Sequence, residues 1–337
     1  MHNKVRWGVL GVSKFAMNKS APALCRCTLG EVRAVASRDA ARARAAADQL
    51  GAPISYGSYE ELLADPDIDV IYNPLPNHMH VPWSIRAAEA GKHVLCEKPI
   101  GLSAAEVRQL IEVRNRKNVR VAEAFMVRVH PQWIRAKEIV DSGELGELRA
   151  VTGHFSYFNR DPKNIRNQRD IGGGALMDIG CYPVYVARYL FAAEPLRVTG
   201  LLDRDPETKV DRLTSALLEF PSGQCTFTCA TQLVPHQRVQ ILGTKGRVEL
   251  EIPFNAPPDR PTRLSVDIGG ALDGSQIRIE SFDTVDQYVL QGDAFSRAVR
   301  GETALAVPLE NSLGNMQTIE ALFRSAESGR WESPAGF

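Results

Sequence analysis

The sequence predicts an α/β chain in two domains: an amino-terminal doubly wound parallel sheet over residues 1–124, and a carboxyl-terminal α+β domain over residues 125–337 with a large open, mainly antiparallel sheet. Three observations predict it. The 337 residues exceed the roughly 150 typical of one domain. Short apolar runs alternate with helix-forming stretches as far as Phe125, the pattern of parallel strands joined by crossover helices. Beyond residue 195, strand-like runs follow one another at hairpin spacing, which argues an antiparallel sheet.

Composition narrows the function classes. Apolar residues make up 44%, ordinary for a chain that buries a large core. Lys and Arg balance Asp and Glu at 40 each with no long like-charge run, so neither a nucleic-acid nor a membrane partner is expected. Met1 to Trp7 lacks the apolar core and cleavage site of a signal peptide, and no stretch approaches the ~18 uncharged apolar residues of a membrane span. A cytoplasmic location is therefore expected. Cys25, Cys27, Cys96, Cys181, Cys225 and Cys229 show no C-x-x-C pairing. Cys225 and Cys229 fit one sheet face as small buried thiols, and no metal site is expected.

The first domain opens with the strand Val5 to Leu10, a turn at Gly11-Val12-Ser13-Lys14-Phe15-Ala16, and a helix-compatible stretch to about Leu29. A dinucleotide fold wants glycine first for the turn, glycine second for close approach of the pyrophosphate, and a small third residue for helix packing. Gly11 and Ala16 fit the first and third positions, and Ser13 replaces the second. The next strand, Glu31 to Ser37, ends at Ser37-Arg38, where a hydroxyl and a guanidinium suit a 2′-phosphate and so favour NADP, with NAD as the alternative. Asp39 stands one residue late for the acidic ribose-binding role and can cap the alanine-rich helix Ala40 to Leu50.

A brief strand at Pro53 to Tyr56 and a short helix at Ser58 to Ala64 follow. Asp69 to Asn73 is a buried strand that breaks at Pro74-Leu75-Pro76-Asn77, and a helix is expected over Val81 to Ala90, closed by Gly91. Val94 to Cys96 is the three-residue apolar core of a strand that stops at Glu97-Lys98-Pro99, since a proline cannot donate to the ladder. The Lys98-Pro99 bond is a candidate cis bond. In open α/β sheets ligands sit at the carboxyl ends of the strands. Leu75-Pro76-Asn77 and Glu97-Lys98-Pro99 therefore face the nicotinamide end of a bound dinucleotide; His80 reads as a histidine of the first helical turn and as a candidate cofactor contact. Ser103 to Lys117 reads as an amphipathic helix and Val119 to Phe125 as the last strand.

The order Gly11-x-Ser13-x-x-Ala16, Pro76-Asn77-x-x-His80, Glu97-Lys98-Pro99 resembles the Gfo/Idh/MocA oxidoreductases, most specifically in its E-K-P element. The resemblance implies an amino-terminal Rossmann domain, and a second domain whose open sheet carries substrate contacts and often a dimer interface. It marks Lys98 as the reacting centre.

In the second domain Gln132 to Ser142 reads as a helix and Glu147 to Phe158 as a strand. The loop 159–170 holds Asn164 and Arg166, candidates to contact substrate or the carboxamide. Three glycines, Gly172 to Gly174, allow backbone to approach a ligand closely. Asp178 and Tyr182, four apart, share one face if the helix is continuous across Gly180 and Pro183. The resemblance implies that many relatives carry Asp and His at these positions. Tyr182 in the second of them resembles the subgroup of glucose–fructose oxidoreductase, dimeric dihydrodiol dehydrogenase and NADP-dependent xylose dehydrogenases. Strands are expected at Leu196 to Leu202, Ser215 to Phe220, Gln224 to Thr231, Arg238 to Leu242, Gly246 to Glu251 and Arg263 to Ile268. Helices are expected at Val285 to Gly301 and Glu310 to Ser328. The open sheet face predicts a homodimer or homotetramer.

Moving a hydride from an alcohol or hemiacetal carbon requires a base for the hydroxyl proton and a cation near the developing alkoxide. An ammonium nearby favours the tyrosinate. The expected roles are proton exchange for Tyr182, polarisation of the substrate oxygen for Lys98, and positioning of a sugar hydroxyl for Asp178. Glu97 either anchors Lys98 or holds the nicotinamide ribose. The expected activity is NADP-dependent oxidoreduction of an aldose such as xylose or glucose. Oxidation of a trans-dihydrodiol is the alternative enzyme, and a non-catalytic NADP sensor the alternative of another class.

Overall fold

The computed structural model describes residues 4–269 and 272–334. They form two compact units, one holding the chain up to Val129 together with Asp286–Leu313, the other His130–Val285 together with the chain from Gly314 onward.

The first unit is built on six parallel strands: β1 (Val5–Leu10), β2 (Gly30–Ala36), β3 (Ile54–Tyr56), β4 (Val70–Asn73), β5 (His93–Cys96) and β6 (Val121–Glu123). Their order is β3-β2-β1-β4-β5-β6. Parallel strands are covered on both faces, which is why each reads as a short continuous apolar run. Trp7, Val9, Val35, Val70, Tyr72 and Leu95 form the buried centre.

A π-helical turn at Ala16–Ser20 leads into α1 (Ala21–Cys25). Helix α2 (Ala40–Leu50) is capped by the Asp39 carboxylate and closed by Gly51 in the left-handed region. A capping box between Ser58 and Glu61 starts α3 (Tyr59–Ala64). Helix α4 (Asn77–Glu89) begins four residues before the expected Val81, because Pro76, with φ −58° and ψ 149°, is its N-cap and the chain turns helical at once. Ser103 caps α5 (Ala104–Lys117).

The second unit carries α6 (Pro131–Asp141), α7 (Cys181–Phe191) and an eight-stranded sheet. Its strands are β7 (Leu148–Phe158), β8 (Arg197–Arg204), β9 (Asp211–Phe220), β10 (Gly223–Ala230), β11 (Gln232–Gly243), β12 (Arg247–Leu250), β13 (Thr262–Asp267) and β14 (Ile277–Phe282). They run in the order β14-β13-β12-β11-β7-β10-β9-β8, and every pair is antiparallel except β7 with β10. Alternation is clear on β10, where Cys225, Phe227 and Cys229 are buried while Gln224 and Thr226 are exposed. The expected set of strands omitted β14. It is an edge strand with Ile277 and Ile279 exposed and charges between them, so it lacks the apolar face that marks its neighbours.

Two closing helices follow, α8 (Gln287–Val299) and α9 (Leu309–Ser328). A single cut near residue 124 does not capture the return of α8 to the first unit, where Phe295 packs on Trp7 with ring centroids 5.6 Å apart. No helix among the described residues is long and apolar enough to cross a membrane.

Candidate active site

In the first unit the candidate residues lie at the carboxyl ends of the strands around the point where strand order reverses between β1 and β4, the place where such sheets hold ligands. Gly11 follows β1 at φ +84°, and a Cβ there would come 2.8 Å from the Leu75 side chain. The turn is therefore restricted to glycine. Ser13 starts the following helix: its hydroxyl accepts from the Ala16 N–H at 3.1 Å and its carbonyl from Met17 at 3.0 Å. Lys14 is exposed, and half-buried Phe15 meets Tyr288 edge to face at 5.9 Å.

At the end of β2 the buried Ser37 hydroxyl accepts from the Asp39 N–H at 3.3 Å. Asp39 gives its carboxylate to the N–H groups of Ala41 and Arg42 at 2.9 and 3.1 Å, so it is the cap of α2 rather than a ribose ligand. The exposed Arg38 hydrogen-bonds the Tyr59 hydroxyl. Burial pushes that phenol up, and the guanidinium pulls it back. A hydroxyl and a cation, with the nearest carboxylate occupied, is the donor set that suits a 2′-phosphate.

The ends of β4 and β5 are joined by buried polar contacts. His80 is 1% exposed, with Nδ1 2.7 Å from the Pro99 carbonyl and Nε2 2.6 Å from the Leu75 carbonyl. Burial pushes its pKa down to about 4, against the two carbonyls, which favour the protonated ring. The ring of His80, a candidate cofactor contact in the first turn of α4, ties the Leu75-Pro76-Asn77 turn to the segment after β5. Asn73 reinforces that tie, donating to the His80 carbonyl at 3.0 Å and to Ser84 at 3.1 Å.

Glu97 is buried and accepts the Tyr72 hydroxyl at 2.7 Å, while the Tyr72 oxygen lies 2.6 Å from Ser20 in the π-helical turn. Burial first, and the Glu97 charge second, hold the Tyr72 phenol far above its usual range. The carboxylate thus fastens the end of β5 to the helix that follows the glycine turn. Next to it, half-buried Lys98 precedes Pro99 across a cis peptide bond.

In the second unit the π-helical turn Leu176–Gly180 runs directly into α7, so Asp178 and Tyr182 sit on one continuous helical segment. Asp178 Oδ2 accepts from the Tyr157 hydroxyl at 2.6 Å and from Arg166 Nε at 2.9 Å. Arg166, a candidate to contact substrate or the carboxamide, is paired with Asp178. The Asp178 charge raises the guanidinium pKa further, with Tyr157 and Tyr182 adding to it. Asn164 positions Arg166, its side-chain oxygen accepting the Arg166 N–H at 3.0 Å. Tyr182 is 5% exposed and packs against Phe155 and Phe254, with ring centroids 5.8 and 5.3 Å away.

The glycines before this helix serve the chain itself. A Cβ on Gly173 would lie 2.6 Å from the Arg166 carbonyl, and one on Gly174, at φ +121°, 2.0 Å from Asp211 Oδ1. Asp211 Oδ2 accepts from the Leu176 N–H at 2.7 Å and from Thr214 at 2.9 Å, and its burial raises the carboxyl to about 6. The Cβ positions of Gly173 and Gly174 are thus taken by the loop and by the Asp211 carboxylate.

Sequence reasoning missed Tyr72, Ser20, Tyr157, Asp211 and Phe254. Only Tyr157 left a signal, since period-two alternation on β7 sets it on the same face as Phe155. Among the described residues no group of His, Cys, Asp or Glu could hold a metal ion.

Residues 5–125 match the oxidoreductase family model with an NAD-binding Rossmann fold, and residues 133–249 match the GFO/IDH/MocA carboxyl-terminal domain. The chain is 49% identical over 330 residues to the uncharacterized oxidoreductase ORF334 of Rhizobium meliloti, covering 98% of this chain and 99% of that one. It is 40% identical over 325 residues to D-xylose 1-dehydrogenase (NADP(+)) 2 of Haloferax volcanii, covering 96% and 98%. KijD10, a 3-ketoreductase from Actinomadura kijaniata solved with NADP and TDP-benzene, superposes with a TM-score of 0.88 at 29% identity over 96% of this chain and 98% of its own. With both domains matched and relatives this similar along nearly their whole length, the chain belongs to the GFO/IDH/MocA oxidoreductase family.

Proposed function

We propose that this oxidoreductase moves a hydride between NADP and a sugar, an aldose such as xylose or glucose, at a hemiacetal or secondary alcohol carbon. The observation that carries the reading is Tyr182, which stands four residues after Asp178 on one helical segment, with Arg166 paired to that Asp178. The likeness to an NADP-dependent xylose dehydrogenase supports the substrate class.

Bound NADP would supply the hydride acceptor. Ser37 and Arg38 would hold its 2′-phosphate, and the turn after Gly11 would face its pyrophosphate. Lys98 polarises the substrate oxygen and stabilises the alkoxide as charge develops there. Tyr182 exchanges the hydroxyl proton, and Arg166 keeps a cation on the Asp178 side of it. Asp178 and Tyr157 fix Arg166, so Asp178 acts by positioning that cation as well as by any contact with a sugar hydroxyl.

The aromatic neighbours of Tyr182, Phe155 and Phe254, support trans-dihydrodiol oxidation as the second reading. The open face of the second sheet, where Leu201 is exposed, supports self-association. The deciding measurement is NADPH formation at 340 nm over xylose, glucose, other aldoses and a trans-dihydrodiol. Turnover of an aldose supports the proposal, turnover of the dihydrodiol alone moves it to the second reading, and tight NADP binding with no turnover points to a sensor.

A further inference from the structure

The second unit holds a cavity of about 510 Å³ at the seam of β7 and β11, a size that suits a small ligand. Two of its walls belong to the neighbourhood already described. Phe155 packs on Tyr182, and the Tyr157 hydroxyl binds Asp178. We infer that this cavity is the subsite for the non-reacting end of the substrate, and that it takes an uncharged polyhydroxylated ligand and rejects a nucleoside diphosphate. This rests on the proposed sugar chemistry and narrows it.

The loop after β12 also lines the cavity, and it is fixed. Gln132 donates to the Ile252 carbonyl at 2.9 Å, Trp133 to the Pro253 carbonyl at 2.6 Å, and the Gln237 side-chain oxygen accepts the N–H groups of Phe254 and Asn255, both at 2.9 Å. With its oxygen so held, the Gln237 amide cannot flip. Its two N–H donors have no protein acceptor among the described residues, and Gln237 lines the cavity. Asn255, also on the lining, is exposed and brings a neutral amide able both to donate and to accept. Preoriented neutral donors and acceptors beside aromatic rings are the complement of sugar hydroxyls and the C–H faces between them.

Charge on the lining is cancelled. Arg238 donates to Glu249 at 2.6 Å, and Glu251 accepts from Arg263 at 2.9 and 3.1 Å. A diphosphate needs cations in surplus, and Arg238 is the one Lys or Arg on the lining.

The test uses the full-length protein with NADP. Gln237→Glu keeps the acceptor for Phe254 and Asn255 while turning the two donors into a charged oxygen, and Asn255→Ala removes the exposed amide. Each variant is expected to raise KM for the best aldose roughly tenfold, with kcat and the KM for NADP within about twofold of wild type. Thymidine diphosphate at millimolar concentration is expected not to compete with the aldose. An unchanged aldose KM in both variants, or competition by thymidine diphosphate in the wild type, overturns the inference. If no aldose is turned over, the proposed function falls on its own, and calorimetric titration with xylose and glucose judges the cavity. Binding that both variants weaken supports the subsite, and absence of binding, or binding that neither changes, overturns it.

Discussion

Replacing Gly174 with alanine tests whether the glycines ahead of the Asp178–Tyr182 helix serve the fold or a ligand. The new Cβ would sit at φ +121° and 2.0 Å from Asp211 Oδ1, a distance no real contact sustains. Backbone strain of that kind costs about 1–3 kcal/mol. Displacing Asp211 weakens its bonds from the Leu176 N–H and Thr214, about 1–3 kcal/mol more. The sum, roughly 2–6 kcal/mol, lowers Tm by roughly 5–20 °C for a unit of this size. Gly143→Ala is the matched control: Gly143 has φ +75° with nothing within 4 Å of an added Cβ, so it registers left-handed strain alone, about 1–2 kcal/mol. Melting followed by circular dichroism reads both. The reasoning is refuted if Gly174→Ala melts within about 2 °C of the control. An intact Tm with a raised substrate KM would instead return these glycines to a ligand-binding role.

Lys98→Ala is expected to abolish turnover while NADP binding, followed by quenching of tryptophan fluorescence, stays near wild type; a near-normal kcat would remove Lys98 from the chemistry. Arg38→Ala is expected to raise the KM for NADP roughly 10- to 100-fold and leave that for NAD almost unchanged, the loss of a charged hydrogen bond to phosphate. Steady-state kinetics with the two cofactors would show equal losses if Arg38 did not read the 2′-phosphate. His130 caps α6 through Nδ1, which accepts the Gln132 N–H at 3.3 Å, and burial pushes the ring down to about 4. The unfolded chain, titrating near 6.5, therefore binds the proton first, so stability falls as pH drops from about 6.5 to 4, by at most roughly 3 kcal/mol. His130→Asn, which preserves a cap, should flatten that part of a urea-denaturation pH series; an unchanged slope would show that other groups govern it.

What the sequence made legible was what repeats or breaks a local rule. Apolar strands in a buried parallel sheet announce themselves by composition, and a proline or glycine at their ends marks where the chain leaves the ladder, so Gly11, Leu75-Pro76 and Glu97-Lys98-Pro99 could be placed at one sheet edge before any coordinates. Strand β14 and the first half of β11 were missed for the complementary reason. Their residues are exposed, and β11 pairs irregularly with β7 between Gln232 and His236, so no period survives to be read.

The partners of the site residues were illegible on different grounds. That Glu97 meets Tyr72 and Ser20, that His80 bridges two carbonyls, and that Asp178 holds Arg166 depend on long-range packing rather than on spacing. Three residues read as ligand contacts, His80, Asp178 and Arg166, have partners within the chain as well. Their types were legible and those partners were not. A buried polar group needs a partner whichever role it has, and a sequence names the group without naming who satisfies it. The same logic gives the cavity wall its interest, because Gln237 is fixed at its oxygen by two backbone donors and still has two N–H groups left to give.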